Sequence, residues 1–146
     1  MLEINNTTQQ PVRLKKIREI GERFLRAYQK TGWTISVAIV GDAAIKKINQ
    51  QYRGIDKITD VLSFGGRPAD KYLGEVIINI QEAARTNKYR ELWREIGRTS
   101  VPKPDQVFYF LLVHGLLHLV GHDDETEKSR RDMIKRGGKF LNYPKK

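Results

Sequence analysis

The sequence predicts an α/β (α+β) fold, a single domain over residues 1–146 in which a mixed sheet of about four strands packs with helices around one buried central helix. Three observations predict it. Stretches that alternate apolar and polar residues, rich in β-branched side chains, take turns along the chain with stretches of helical periodicity. One long stretch, Asp105 to Val120, is apolar nearly all round and therefore belongs in the middle of the domain. A chain of 146 residues buries one core without disulfide staples, and this chain has no cysteine.

Taken in order, Leu2 to Asn5 reads as a short strand. Pro11 then opens an amphipathic helix, with Val12, Ile17, Ile20, Phe24 and Leu25 at helical spacing. Trp33 to Val40 alternates and is β-branched, hence a strand. Gly41-Asp42 forms a turn and N-cap, Ala43 to Tyr52 a helix, and Gly54 its end. Asp60 to Phe64 and Leu73 to Ile80 are two further strands, joined through Gly65-Gly66-Arg67-Pro68. Gln81 to Arg98 is a mostly polar helical stretch that breaks at Gly97, and Pro102 and Pro104 mark a loop. Asp105 caps the apolar helix, and a last amphipathic helix starts near Glu125 and fades at Gly137-Gly138.

The charge balance is strongly basic: 27 Lys and Arg against 17 acids, a net charge of +10. The basic residues are spread through the chain, which points to a polyanionic partner, nucleic acid above all. Charge alone does not separate RNA from DNA. The absence of cysteine excludes disulfide-linked partners, thiolate zinc sites and cysteine nucleophiles, and suits a reducing compartment. The polar start, MLEINNTTQQ, has no signal-peptide core, and the longest apolar run, Val107 to Val113, is far too short to span a bilayer.

All three histidines fall in one segment, His114-Gly-Leu-Leu-His118-Leu-Val-Gly121-His122-Asp123-Asp124. His114 and His118 stand one turn apart on one face of the apolar helix, where two imidazoles can share a metal ion. Burying two unpaired imidazoles there would be costly. A catalytic tetrahedral site needs a third protein ligand and an open position. Gly121 can turn the chain back, which brings Asp124 into reach; His122 is the competing third ligand. The spacing H-x3-H-x2-G-x2-D matches the zinc site of metzincin-like peptidases. Those peptidases carry a Glu general base directly after the first His, and here that place is Gly115, which argues against a peptidase.

The same segment resembles the H-G-x-L-H-L-x-G-Y/H-D-H signature of the YbeY-type rRNA maturation endoribonucleases. Asn49 to Phe64 resembles that family's N-x-x-Y-R-x-x-D-x-P-T-D-V-L-S-F motif, and Leu73-Gly74-Glu75-Val76-Ile77-Ile78 its L-G-D-I-x-I strand. The resemblance implies a cytoplasmic, single-strand-specific, metal-dependent endoribonuclease. Its work is maturation of rRNA, chiefly the 3′ end of the small-subunit RNA, and ribosome quality control. It implies one zinc ion per chain, with other divalent ions able to substitute. The ligands carry over onto His114 and His118; the family's third His is replaced by Asp124, also a legitimate zinc ligand, which weakens the metal as a Lewis acid. Ile58 replaces a usual Pro, and Gly65 another. Arg53 is the functional arginine of the motif, whose planar fork suits a phosphate; its alternative role is a surface ion pair with Asp56. Thr59 and Asp60 orient the site or cap a turn. The rival reading is a non-catalytic, metal-stabilised ribosome-assembly or RNA-binding factor.

Overall fold

In the computed structural model, which describes residues 1–142, four strands form one sheet in the order β1-β2-β4-β3. Strands β1 (Leu2–Asn6), β2 (Thr34–Val40) and β4 (Tyr72–Asn79) are parallel, and β3 (Val61–Arg67) runs antiparallel at the edge. The mixed sheet of the expected fold class is therefore present, with β3 as its one reversed strand.

Alternation decides which residues face which layer. Ile35, Val37 and Ile39 of β2 join Val76 and Ile78 of β4 on one face, against α1 (Leu14–Ala27) and α5 (Pro104–Leu119). Ala38, Val40, Leu62 and Ile77 point to the other face, against Ile45 and Ile48 of α2 (Asp42–Arg53). Helix α5 is buried from Val107 to Val113 and again from Gly115 to Leu117, as its all-round apolar sequence requires. Helix α6 (Glu127–Phe140) covers its outer side.

Several boundaries differ from the sequence reading, each for a physical reason. Helix α1 starts at Leu14 with Arg13 as N-cap; Pro11 belongs to the preceding loop, and Val12 packs on the core from there. Gly41, not Asp42, is the N-cap of α2, and Asp42 is its first residue. Gly65 and Gly66 lie inside β3, because Gly66 sits where a Cβ would strike the Tyr72 carbonyl across the strand pair; the turn falls on Pro68–Asp70. Strand β4 ends at Asn79, whose side chain caps the next turn by accepting from the Gln81 and Glu82 amides. The polar stretch 81–98 is three short pieces rather than one helix: α3 (Ile80–Ala83), a 3-10 turn (Thr86–Tyr89) and α4 (Arg90–Glu95). Lys103, not Asp105, is the N-cap of α5, with Pro104 in the first position. Helix α6 does not fade at Gly137-Gly138 but runs on to Phe140. Both glycines are buried, where a Cβ would press on Phe110 and Ile96, so their smallness serves packing.

Candidate metal centre and its cavity

The last turns of α5 set the site. His114 and His118 project from one face, their rings 5.0 Å apart and nearly perpendicular. The helix ends at Leu119, and Gly121 takes a φ of +101°, a conformation that side-chain-bearing residues rarely adopt. Amides of Gly121 and His122 donate back to the carbonyls of His118 and Leu117, which reverses the chain. Asp124 then lies against the helix face, its Oδ2 3.6 Å from Nε2 of His114 and 3.7 Å from Nε2 of His118.

Those separations are too long for hydrogen bonds. They are close to what a metal needs: bonds of about 2.0–2.1 Å at tetrahedral angles put neighbouring ligand atoms about 3.4 Å apart. One ligand atom from each of His114, His118 and Asp124 lies within 4.8 Å of the others, and among the described residues no other group of His and acid side chains does so. The ring of His122 stands outside this group. His122 contributes its backbone carbonyl, 3.0 Å from Nδ1 of His118. A carbonyl only accepts, so His118 Nδ1 carries the proton and Nε2 keeps its lone pair towards Asp124. His114 Nδ1 is buried without a hydrogen-bond partner among the described residues, and the ring lies parallel to that of Phe110. Burial pushes the His114 pKa down, and the neighbouring His118 pushes it the same way, so the ring is neutral near pH 7. Asp123 turns away; its carboxylate accepts from the Glu125 amide, which holds its pKa below the usual carboxylate range.

The three side chains open onto a cavity of about 590 Å³, whose other walls include Arg53, Lys57, Thr59 and Asp60. Arg53 ends α2, just before the left-handed Gly54. Its guanidinium donates to the Ser63 carbonyl at 2.9 Å and sits 5.5 Å over the Phe64 ring. Asp56 does not pair with it; that carboxylate faces Lys46 at 3.9 Å. Asp60 accepts from the Tyr89 hydroxyl at 3.0 Å, and burial, with Asp60 beside it, pushes the Tyr89 pKa far up. Thr59 contributes its carbonyl, which accepts from Asn79.

Sequence reading did not single out three residues that form or brace these walls. Ser63 donates its hydroxyl to the Gly115 carbonyl at 2.8 Å, tying the strand that holds Arg53 to the helix turn between the two histidines. Buried Asn49 donates to the Lys57 carbonyl and so shapes the loop 54–60. Fully buried Asn79 bridges Asp42, Thr59 and the start of α3. A polar amide directly after the apolar Val76–Ile78 run was the available signal for Asn79; Ser63 and Asn49 offered none beyond their place in a motif.

Comparison with known proteins points to one family. The family model described as Endoribonuclease YbeY matches residues 3–144. Endoribonuclease YbeY of Moorella thermoacetica is 40% identical over 113 residues, 68% of this chain and 65% of the relative, just under two thirds of that protein's own length. Endoribonuclease YbeY of Bacillus licheniformis is 35% identical over 125 residues, 76% of this chain and 72% of the relative. The solution structure of TM1509 from Thermotoga maritima superposes with a TM-score of 0.63 at 26% identity, covering 97% of this chain and 87% of that one. With the fold, the histidine helix and a match over nearly its whole length, the chain belongs to the YbeY endoribonuclease family.

Proposed function

We propose that residues 1–146 form one metal-dependent endoribonuclease domain that cuts single-stranded RNA during rRNA maturation, chiefly at the 3′ end of the small-subunit RNA, and in ribosome quality control. The observation that carries this is the His114, His118 and Asp124 group opening onto a cavity that also presents Arg53. These three hold one divalent ion, zinc by the chemistry of the donor set, with other divalent ions able to take its place. The ion supplies Lewis acidity at the phosphodiester and a lowered pKa for water. Arg53 spends one of its five N–H donors on Ser63 and keeps the rest for phosphate oxygens. Lys57 adds positive charge to the same wall. The net charge of +10 draws the RNA in. A ribosomal partner and a cytoplasmic location follow from the same reading; among the described residues no helix is long and apolar enough to cross a membrane.

The rival, a non-catalytic assembly factor with a structural metal, needs a closed site with four protein ligands. Three ligand atoms beside an open cavity, with the His122 ring outside the group, favour the enzyme. The test is purified protein with an rRNA fragment, with and without a chelator. Cleavage that stops on chelation and returns with zinc supports the proposal; no cleavage at any metal load overturns it. In single turnover at saturating enzyme, Arg53→Ala lowers the rate about 100-fold, the scale for losing one donor to developing charge. Arg53→Lys recovers little, because an ammonium lacks the planar fork. A normal rate for Arg53→Ala removes Arg53 from the mechanism.

A further inference from the structure

A second, larger cavity of about 740 Å³ lies away from the metal centre. Its walls come from the segment leaving β1 (Gln10 to Arg13), the segment leaving β4 (Ile80 to Arg85) and the first turns of α5. Clefts beyond the carboxyl ends of parallel strands are where α/β sheets commonly bind ligands. The N-caps of two long helices line it: Arg13 for α1 and Lys103 for α5. N-cap positions favour Ser, Thr, Asp or Asn, whose oxygens satisfy the first amides. Here both hold cations, and neither side chain caps its helix. Neither cation has an ion-pair partner among the described residues, and both sit at the positive ends of helix dipoles. Arg85 also lines the cavity, but Asp42 and Glu82 neutralise it.

A second observation is independent of the helix ends. Tyr109 lines the cavity with only 8% of its surface exposed, and its hydroxyl has no hydrogen-bond partner among the described residues. Tyr109 stands one turn after Asp105 on α5, and Arg13 lines the same cavity. Beside it, Phe108, Pro11 and Pro104 give an apolar wall. Charged donors, one unpartnered hydroxyl, one carboxylate and an apolar wall are the groups that hold a phosphate, a ribose or base edge, and a base face.

We infer that this cavity binds one nucleotide unit of a single-stranded RNA, its phosphate at Arg13 and Lys103 and its base on the Phe108 side beside Tyr109. The inference rests on RNA being the substrate, and it gives the strand a second hold remote from the histidines. Phe108 and His114 lie on one helix, about 9 Å apart along its axis at 1.5 Å per residue.

The test measures binding of the full chain to a fluorescein-labelled oligoribonucleotide of about 12 nucleotides, in chelator, with strand integrity checked on a gel. Arg13→Gln and Lys103→Gln each reduce the slope of log affinity against log salt by about 0.7. Tyr109→Phe keeps the ring packed edge-on against Phe108 and lowers affinity about three- to tenfold, the scale of one hydrogen bond. Adenosine 5′-monophosphate displaces the strand from the unaltered protein, and less readily from Tyr109→Phe. The inference is overturned if Tyr109→Phe binds normally and the two charge variants lose no more than Lys128→Gln, an exposed lysine on α6. It is also overturned if the mononucleotide binds without displacing the strand, which would make this a free-nucleotide site. Failure of the unaltered protein to cut RNA counts against the proposed endonuclease, whereas normal binding by the cavity variants counts against the cavity alone.

Discussion

Gly115 occupies the position where the peptidases that share its spacing carry their general base, and the structure gives it a job of its own. A Cβ built there would lie 2.6 Å from Val76 Cγ1, 3.1 Å from Ser63 Oγ and 3.2 Å from Val61 Cγ2. Val76 is fully buried, and its β-branched side chain has one stiff torsion, so the closest methyl cannot swing aside. Gly115→Ala therefore forces α5 away from β3 and β4. Overpacking a filled core costs about 1–3 kcal/mol, and a 2.6 Å contact belongs in the upper half of that range. Replacing Gly by Ala inside a helix returns about 1 kcal/mol. The net expectation is a loss of about 1–2 kcal/mol, or about 2–8 °C in Tm for a chain of this size. Urea denaturation monitored by tryptophan fluorescence measures it, and metal uptake by the same variant reports whether the histidine turn has moved. A variant more stable than the parent by about 1 kcal/mol, the ordinary result for an uncrowded helical glycine, refutes the close approach.

Three further outcomes follow from the same geometry. His114→Ala and His118→Ala each abolish cleavage, and Asp124→Ala reduces zinc uptake more than His122→Ala by elemental analysis; the reverse order for the last two would reassign the third ligand. Chelation removes the metal without unfolding the chain, because α5 is held by its apolar surroundings, and circular dichroism before and after checks this; global unfolding would mark the metal as structural. Asp42, held to a pKa of about 2 chiefly by its hydrogen bonds with Arg85, ionises below its ordinary value of 3.8, so it stabilises the fold above that value and loses the contribution as pH falls from 3.8 towards 2. The full shift corresponds to about 2.4 kcal/mol, which screening at this rim position reduces to about 1 kcal/mol. Asp42→Asn flattens the acid limb of urea midpoint against pH, and an unchanged limb would show that the pair contributes nothing.

The sheet and the central helix were legible because their signals are local and redundant. Alternation in Thr34–Val40 and the unbroken apolar surface of α5 each admit one placement. The histidine pair was legible for the same reason, since two residues on one helix face need no knowledge of tertiary structure. Asp124 required a turn to be placed in space, and Gly121 was the residue that allowed it. What escaped was set by contacts distant in sequence. Gly137 and Gly138 look like a helix end, yet Phe110 and Ile96 press on them, so smallness rather than flexibility selects them. The stretch 81–98 has helical composition, but Asn79 caps only one turn before Arg85 bends back to Asp42. Ser63 is one serine among several until the strand is laid beside α5.

These contacts divide the site between parts that are fixed and parts that are not. The histidines are held: α5 is buried from Val107 to Val113 and from Gly115 to Leu117, and His118 is oriented by the His122 carbonyl. Arg53 is tied in at one remove, because its partner Ser63 is itself bonded to the carbonyl of Gly115, the residue after His114. The guanidinium is therefore linked to the histidine helix through two hydrogen bonds and the β3–α5 packing. Asp124 differs. Its loop is anchored at the entry by the His122 amide on Leu117 and at the exit by the Thr126–Ser129 cap. Between those anchors its half-exposed carboxylate faces the two imidazoles at 3.6 and 3.7 Å. His114, His118 and Asp124 would hold a divalent ion between two helix-borne nitrogens and one loop-borne carboxylate. That asymmetry suits the hydrolytic site proposed above, with three ligands beside an open cavity, better than a closed four-ligand one.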